Sequence, residues 1–194
     1  MYGDPMPPDA TETKRRLLRA AVEEFATHGL AGARVDRIAE TAAANKRSIY
    51  MHFGTKEELF DRVVAESMTE LAEAVAIDAG DLPAYAGALY DRLRQRPHIT
   101  RLYLWAGLER QRPVEAEAAE YRRNIAAVEA AQRAGRVRAD IPAVELMAMV
   151  IALVISWDTA SWSLKALPGA AGREPAPEHR AAVLAAVAAL VRPL

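Results

Sequence analysis

Residues 35–57 read VDRIAETAAANKRSIYMHFGTKE and predict two short helices joined by a tight connection at residues 43–45. The second of these helices has too few apolar residues to bury more than one of its sides. Ile38 and Ile49 can pack against Phe25 of a preceding helix and complete a small core of three helices. The other side of the second helix is then expected to face solvent.

The solvent side of this second helix is expected to carry groups suited to DNA. An α-helix fits the major groove, where hydrogen-bond donors and acceptors distinguish all four base pairs. Arg34 before the first helix and Lys56 after the second are expected to contact phosphate, which sets register without reading sequence. The expected DNA-binding set is Arg34, Asn45, Lys46, Arg47, Ser48, Tyr50, Met51, His52 and Lys56.

Structural alternatives remain open for several of these residues. Lys46 and Arg47 could form no more than a solvated helix face, which is usual for exposed basic side chains. Tyr50 could do no more than seal the small core, and His52 could be a surface or packing residue without contact to a base. Lys56 could pair with a neighbouring carboxylate.

The spacing of residues around this segment resembles the TetR family of bacterial transcriptional regulators over residues 16–64. The pattern LxxAxxxF covers residues 18–25 and stops at Gly29, IA follows at residues 38–39, and SIYxxFxxKExL covers residues 48–59. The resemblance implies an N-terminal helix-turn-helix domain on a helical dimer. It also implies that a small molecule bound in the C-terminal body changes the separation of the two DNA-binding heads and releases the operator. Residues 46–52 then form the recognition helix, with Tyr50 and Lys56 at the DNA backbone.

Three departures from the usual family pattern bear on the site. The connection commonly reads Gly-Val-Ser and here reads Ala43, Ala44 and Asn45. Asn45 can still cap the recognition helix, while Ala43 needs a conformation that glycine adopts more easily. Arg47 stands where the family often has a small residue, and we expect it to read a guanine bidentately. Arg34 replaces a hydroxyl that would otherwise contact phosphate.

Alanine-rich helical patterns run through the whole chain, so the predicted fold class is all-α with nine helices and no strand. The first dozen residues are predicted to be a disordered arm, residues 13–56 the helix-turn-helix domain, and residues 57–194 the effector-binding and dimerisation domain. Asp9 and Glu12 suggest a capping box for a first helix that ends at Gly29. A fourth helix is predicted over residues 56–77, and an eighth over residues 140–165, capped by Asp140.

The C-terminal body contains a stretch, residues 146–155, that is apolar around its whole circumference. A helix made of it must be covered on two sides. One side can face its own domain, and the final helix offers a matching apolar stripe for a four-helix homodimer interface. The alternative is a larger monomeric bundle. The expected interface residues are Leu146, Val150, Leu153, Val183, Leu184, Val187 and Leu190.

The aromatic residues of the body are candidates for the walls of an effector pocket, because such pockets are mostly apolar with a few convergent polar groups. The alternative is that each is a core residue, and Asp158 could belong to either a pocket or the dimer interface. No effector can be named from these residues. The candidates are Tyr85, Tyr103, Trp105, Glu109, Tyr121, Trp157 and Asp158.

The composition excludes several classes of protein. The chain has 194 residues, a net charge of −1, no cysteine and four histidines. No thiol site is possible, no zinc-protease, phosphate-loop or nucleophile-elbow motif occurs, and we expect no catalytic residue, metal or cofactor. The N-terminus lacks a secretory pattern, and residues 146–155 are too few to cross a bilayer, so we expect a cytoplasmic protein that joins the nucleoid when DNA-bound. A helical enzyme and an interaction module without DNA affinity remain as rival functions.

Overall fold

Eleven helices, and no strand, form within residues 10–110, 112–170, 172 and 174–194, which the computed structural model of the chain describes. The prediction of an all-α fold is therefore confirmed. In chain order the helices are α1 (Ala10–Gly32), α2 (Val35–Thr41), α3 (Lys46–Phe53), α4 (Lys56–Ala74), α5 (Leu82–Gln95), α6 (Pro97–Glu109), α7 (Glu115–Arg133), α8 (Ala143–Val154), α9 (Ser156–Thr159), α10 (Trp162–Lys165) and α11 (His179–Val191).

The described residues fall into two compact units. The first unit comprises those of residues 1–68 and 101–114, and the second comprises those of residues 69–100 and 115–194. The first unit therefore holds α1, α2 and α3, together with most of α4 and α6. The second unit holds α5 and α7 to α11.

The core of the first unit forms where α1 packs on α2 and α2 packs on α3. Phe25 of α1 meets Phe60 of α4 edge to face, with ring centroids 5.1 Å apart and an interplanar angle of 75°. Ile38 and Ile49, each 0% exposed, complete this core as the sequence predicted. Full burial of one such aliphatic side chain stabilises a fold by about 1.5–3 kcal/mol.

Gly29 marks a sharp kink inside α1, as the sequence predicted for the end of this helix. Its φ of 67° and ψ of −175° are not helical, and three further residues continue the element to Gly32. Residues 10–12, predicted as part of a disordered arm, instead belong to α1. The rest of the predicted arm and Asp9 of the predicted capping box lie outside the described residues.

Side chains of α6 hold the kink of α1 in place. Arg101 donates to the carbonyl oxygens of Ala26 and Thr27 at the end of the regular helix. Glu109 accepts from the backbone N–H groups of Leu30 and Ala31, which the kink separates from helical partners. Polar backbone groups freed at a helix break need such partners.

The segment predicted as one helix over residues 140–165 is broken into α8, α9 and α10, which raises the number of helices above the predicted nine. The Thr159 hydroxyl donates to the carbonyl oxygens of Ile155 and Ser156, and the Ser161 hydroxyl caps α10. Hydroxyl side chains compete in this way with the helical backbone. Asp140 pairs with Arg138 rather than capping a helix, and α8 begins only at Ala143.

The core of the second unit forms where α11 packs on α5 and α8 and where α7 packs on α8. Four residues predicted for the dimer interface are buried in this core of a single chain: Leu146, Val150, Val183 and Val187. That assignment therefore needs correction. Apolar periodicity shows that a helix has two sides to cover but not which side its own domain uses. Here the single chain buries these four residues and leaves Val144, Met149 and several alanines exposed.

The fourth helix ends at Ala74, three residues before the predicted end. In the described part of the chain, no helix combines the length and apolar character that crossing a membrane requires.

Candidate nucleic-acid interface

The connection between α2 and α3 reverses the chain through a Schellman motif. The N–H of Ala44 donates to the carbonyl of Ala39 at 2.9 Å, and the N–H of Ala43 donates to that of Glu40 at 3.0 Å. This pattern requires a left-handed residue, and Ala43 has a φ of 47°. The prediction that Ala43 adopts a conformation suited to glycine is confirmed.

The strain at Ala43 makes a prediction about stability. Ala43→Gly is expected to raise the free energy of unfolding by about 0.5–1 kcal/mol, because relief of the left-handed strain exceeds the extra backbone entropy of glycine. Urea unfolding of the two proteins measures this difference. Ala44→Gly is the matched control: Ala44 has no positive φ, so its variant is expected to lose stability. A loss of stability in both variants would contradict the strain at Ala43.

The start of α3 is capped by the residue that the sequence predicted. Asn45 has an extended backbone, and its side-chain oxygen accepts from the N–H of Arg47 at 2.8 Å. This bond satisfies one of the free amide donors at the helix N-terminus. It also fixes the point at which α3 leaves the connection, and therefore the register of every side chain on α3.

Only one side of α3 is buried. Ile49 is 0% exposed, whereas Met51 is 73% and Tyr50 49% exposed. Lys46 and Arg47 are also exposed, and Ser48 and His52 are half-buried. The helix therefore presents cationic, aromatic and thioether groups to solvent along one face, and their contact with DNA stays a prediction.

The cations near this face differ in their partners. The Lys46 Nζ lies 2.8 Å from Oδ1 of Asp36 in the first turn of α2. This hydrogen bond holds the pKa of Asp36 below its ordinary value and raises that of Lys46. The Lys56 Nζ lies 3.4 Å from the carbonyl oxygen of Ala33. The guanidinium of Arg47 makes no hydrogen bond or ion pair with any residue that the structure describes.

A half-buried carboxylate that sequence reasoning missed, that of Glu24, ties α2 to α1. Glu24 accepts from the backbone N–H of Arg34 at 2.7 Å and from Nη2 of Arg37 at 2.6 Å. Burial raises the pKa of Glu24, but the bonds from Arg37 and Arg34 and the charges of Arg37 and His28 outweigh it, so this pKa lies below its ordinary value. Glu24 and Arg37 are 13 residues apart, so no helical spacing could have indicated the pair.

The start of α4 closes the helix-turn-helix segment. Gly54 has a φ of 76°, and Thr55 and Glu58 then form a reciprocal capping box. The Thr55 N–H donates to Glu58 Oε2 at 2.7 Å, and the Glu58 N–H donates to Thr55 Oγ1 at 3.1 Å. Gly54 thus ends α3, and Thr55 provides the cap of α4. Lys56 is therefore held at the first residue of α4.

The predicted effector residues are divided between the units. Tyr103, Trp105 and Glu109 lie in the first unit, where Trp105 and Glu109 pack against Gly29. Tyr85, Tyr121, Trp157 and Asp158 lie in the second. Glu109 thus has a structural role at the α1 kink, which the sequence pattern did not indicate because its partners are about 80 residues away.

In the second unit the ring of His179 contacts two aromatic side chains. The ring of His179 lies 5.7 Å from that of Trp157 and 5.9 Å from that of Tyr90. Asp158 pairs with Arg94 at 3.4 Å, and burial and the charge of Glu120 raise the pKa of Tyr85. Sequence reasoning missed Tyr90 and His179. No group of three or more metal-binding side chains occurs among the residues that the structure describes.

Two family models match the chain. Residues 17–63 match a model described as bacterial regulatory proteins, tetR family. Residues 81–188 match a model described as tetracyclin repressor-like, C-terminal domain. The first match covers the helix-turn-helix segment, and the second covers more than half of the chain.

Individual relatives agree with these matches. The HTH-type transcriptional repressor SCO4008 of Streptomyces coelicolor is 42% identical over 149 residues, which are 75% of this chain and 78% of that protein. The repressor AcnR of Corynebacterium jeikeium is 37% identical over 98 residues, 48% of this chain and 51% of that protein. A crystal structure of SCO4942 from Streptomyces coelicolor, described as a transcriptional regulator, superposes with a TM-score of 0.79 at 36% identity and covers 92% of this chain and 98% of that one.

Proposed function

Because this chain belongs to the TetR family of bacterial transcriptional regulators and is a DNA-binding regulator of the helix-turn-helix type, we propose that it is a repressor that binds a palindromic operator as a homodimer and leaves it when a small-molecule effector binds. The relatives SCO4008 and AcnR are named repressors, which supports this sign of regulation. Membership of the family excludes the enzymatic alternative.

The observation that carries the proposal is the exposed face of α3. Ile49 anchors the helix in the core, while Arg47 and Met51, four residues apart, share an exposed helix face. Such a face can enter the major groove with a donor for a guanine edge and an apolar group for a thymine methyl. Lys56 and Arg34 stand at the ends of neighbouring elements, where phosphate contacts fix register.

Selection of genomic fragments by the purified protein tests DNA recognition directly. We expect enrichment of one palindromic sequence, and an affinity for it that falls steeply as the salt concentration rises. If the protein does not bind duplex DNA even at low salt, the result would favour an interaction module without DNA affinity. Binding that is equal on all fragments would contradict an operator.

The proposed dimer uses the sides of α8 and α11 that the single chain leaves exposed. No charged residue follows Arg180 in α11, and Glu145 is the one charged residue of α8. Long apolar surfaces of this kind mark interaction sites. Leu153, Leu184 and Leu190 remain available as partly exposed members of the predicted interface. The exposed residues on these sides include Val144, Ala148, Met149, Ala152, Ala181, Ala182, Ala185, Ala188 and Ala189.

A charge placed on this face is expected to separate the two chains. Ala185→Glu leaves the fold of one chain intact because Ala185 is exposed, but it buries an unpaired carboxylate in the dimer, which is costly. Sedimentation equilibrium is expected to show the mass of one chain for this variant and of two for the unaltered protein. The control Ala126→Glu, exposed on α7, is expected to remain dimeric. An Ala185→Glu variant that stays dimeric at low micromolar concentration would place the interface elsewhere.

We propose that the effector binds in the second unit beside Trp157. The indole N–H of Trp157 is buried and has no hydrogen-bond partner among the described residues, so it can donate to an acceptor on a ligand. A ligand releases DNA only if it binds the non-operator conformation more tightly than the operator-bound one. Compounds that displace the selected fragment from the unaltered protein but not from a Trp157→Phe variant would support this site; equal displacement from both proteins would contradict it.

A further inference from the structure

The ion pair between Asp36 and Lys46 joins the two helices of the helix-turn-helix segment. Asp36 lies in the first turn of α2, and Lys46 is the first residue of α3. Their charged atoms are 2.8 Å apart, and their side chains are 64% and 46% exposed. A carboxylate therefore stands at the solvent edge of the face that is proposed to bind DNA.

Stability alone does not account for this pair. An exposed ion pair contributes little to folding, because solvent screens the charges and both side chains lose rotamer freedom. The capping bond of Asn45 and the Schellman bonds already fix the position of α3. The pair has a larger effect on the charge that α3 presents, because Asp36 neutralises one of its two N-terminal cations.

We propose that Asp36 restrains the affinity of this protein for DNA by competing with a backbone phosphate for Lys46. This inference rests on the proposed DNA-binding function. When DNA approaches, Lys46 has to exchange the carboxylate for a phosphate, and Asp36 then remains next to the polyanion as a like charge. Arg47 has no such competitor among the described residues, so reading of bases is unaffected and the restraint acts equally on every sequence.

A restrained affinity has a regulatory consequence. An effector empties an operator only through the difference between its affinities for the two conformations. The weaker the protein binds DNA, the smaller is the difference that an effector has to supply. Asp36 therefore keeps the operator complex within the range that a small molecule can reverse.

The variant Asp36→Asn tests the proposal, since asparagine keeps the shape and loses the charge. We expect affinity for both the selected operator and a random duplex to rise by about fivefold near 0.1 M salt, since one unit charge a few ångströms from phosphate has an effect of that order. The plot of log affinity against log salt is expected to steepen by about 0.9, the value for one neutralised phosphate, because Asp36 no longer offsets the charge that Lys46 brings to the DNA. An unchanged or weakened affinity would overturn the proposal, as would an effect on one of the two duplexes alone.

Two comparisons isolate the role of Lys46. Glu40→Gln removes the same charge one turn later on α2, from an exposed residue that does not contact Lys46, and is expected to change affinity less than twofold. In a Lys46→Met background, Asp36→Asn is expected to have only the effect of Glu40→Gln; a full fivefold gain there would show a general charge effect and overturn the proposal. Circular dichroism checks that each variant is folded. If the Asp36→Asn variant unfolds, Asp36→Ser removes the same charge and takes its place.

The outcomes also separate this inference from the function on which it rests. An unaltered protein that does not bind duplex DNA at low salt would refute the DNA-binding function itself. An unaltered protein that binds its operator with ordinary salt dependence, together with an Asp36→Asn variant of the same affinity and slope, would refute only the role of Asp36.

Discussion

Gly29→Ala is expected to destabilise the first unit by about 3 kcal/mol, the sum of backbone strain and overpacking. The φ of 67° and ψ of −175° lie in a region that essentially only glycine adopts. An added Cβ would also stand 2.7 Å from Cε3 of Trp105 and 2.9 Å from Oε2 of Glu109. Glu109 cannot retreat easily, because it holds the backbone N–H groups of Leu30 and Ala31.

Hydrogen exchange of the buried amides of α1 measures this loss in the first unit itself. Gly107→Ala is the matched control on α6, the helix that carries Trp105. Its added Cβ meets nothing within 4 Å, and alanine is the better residue within a helix, so the control is expected to gain about 0.5–1 kcal/mol. Protection of the Gly29→Ala variant within about 0.5 kcal/mol of the unaltered protein, the usual range for surface substitutions, would contradict the strained kink.

Arg47→Ala is expected to weaken binding to the operator by about 1–3 kcal/mol, or roughly 5- to 150-fold, if the guanidinium reads a guanine bidentately. Arg47 is exposed beside the cap of α3 and has no competing acceptor among the described residues. A random duplex offers this residue only phosphate, so affinity for it should fall much less. Titration of both duplexes at one salt concentration measures the two losses.

Two further variants test the geometry of this contact. Arg47→Lys keeps the charge but not the planar fork, so it is expected to retain affinity for the random duplex without restoring that for the operator. Arg62→Ala removes an exposed arginine of α4 that pairs with Glu66 and is expected to leave the preference for the operator unchanged. Equal losses on both duplexes for Arg47→Ala would show that Arg47 touches only phosphate.

Local signals explain which parts of the site could be predicted. The cap by Asn45, the left-handed Ala43 and the new start at Thr55 each depend on residues within five positions along the chain. Such contacts follow from residue type and spacing. The segment that forms α2 and α3 was therefore located correctly, although its contact with DNA stays a prediction.

Other features of the structure were not indicated by the sequence patterns. The break at Thr159 depends on hydroxyl bonds that compete with a helix of otherwise suitable composition. Trp105 and Glu109 are predicted pocket residues; the structure shows in addition that both lie against Gly29 and that Glu109 holds the kink through residues about 80 positions away. Because apolar side chains in a pocket and in a core look alike in sequence, only their neighbours distinguish the two.

The amino-acid sequence by itself determined the helical class, the two short helices around residues 43–45 and the exposure of one side of α3, because these depend on periodicity and on bonds between near neighbours. Tertiary structure alone decided that Glu24 holds Arg34 and Arg37, that Asp36 pairs with Lys46, and which sides of α8 and α11 face the core of their own unit. These contacts join residues from different helices. Which faces of the helices pair depends on how all the side chains pack together, and a local sequence pattern does not contain that information.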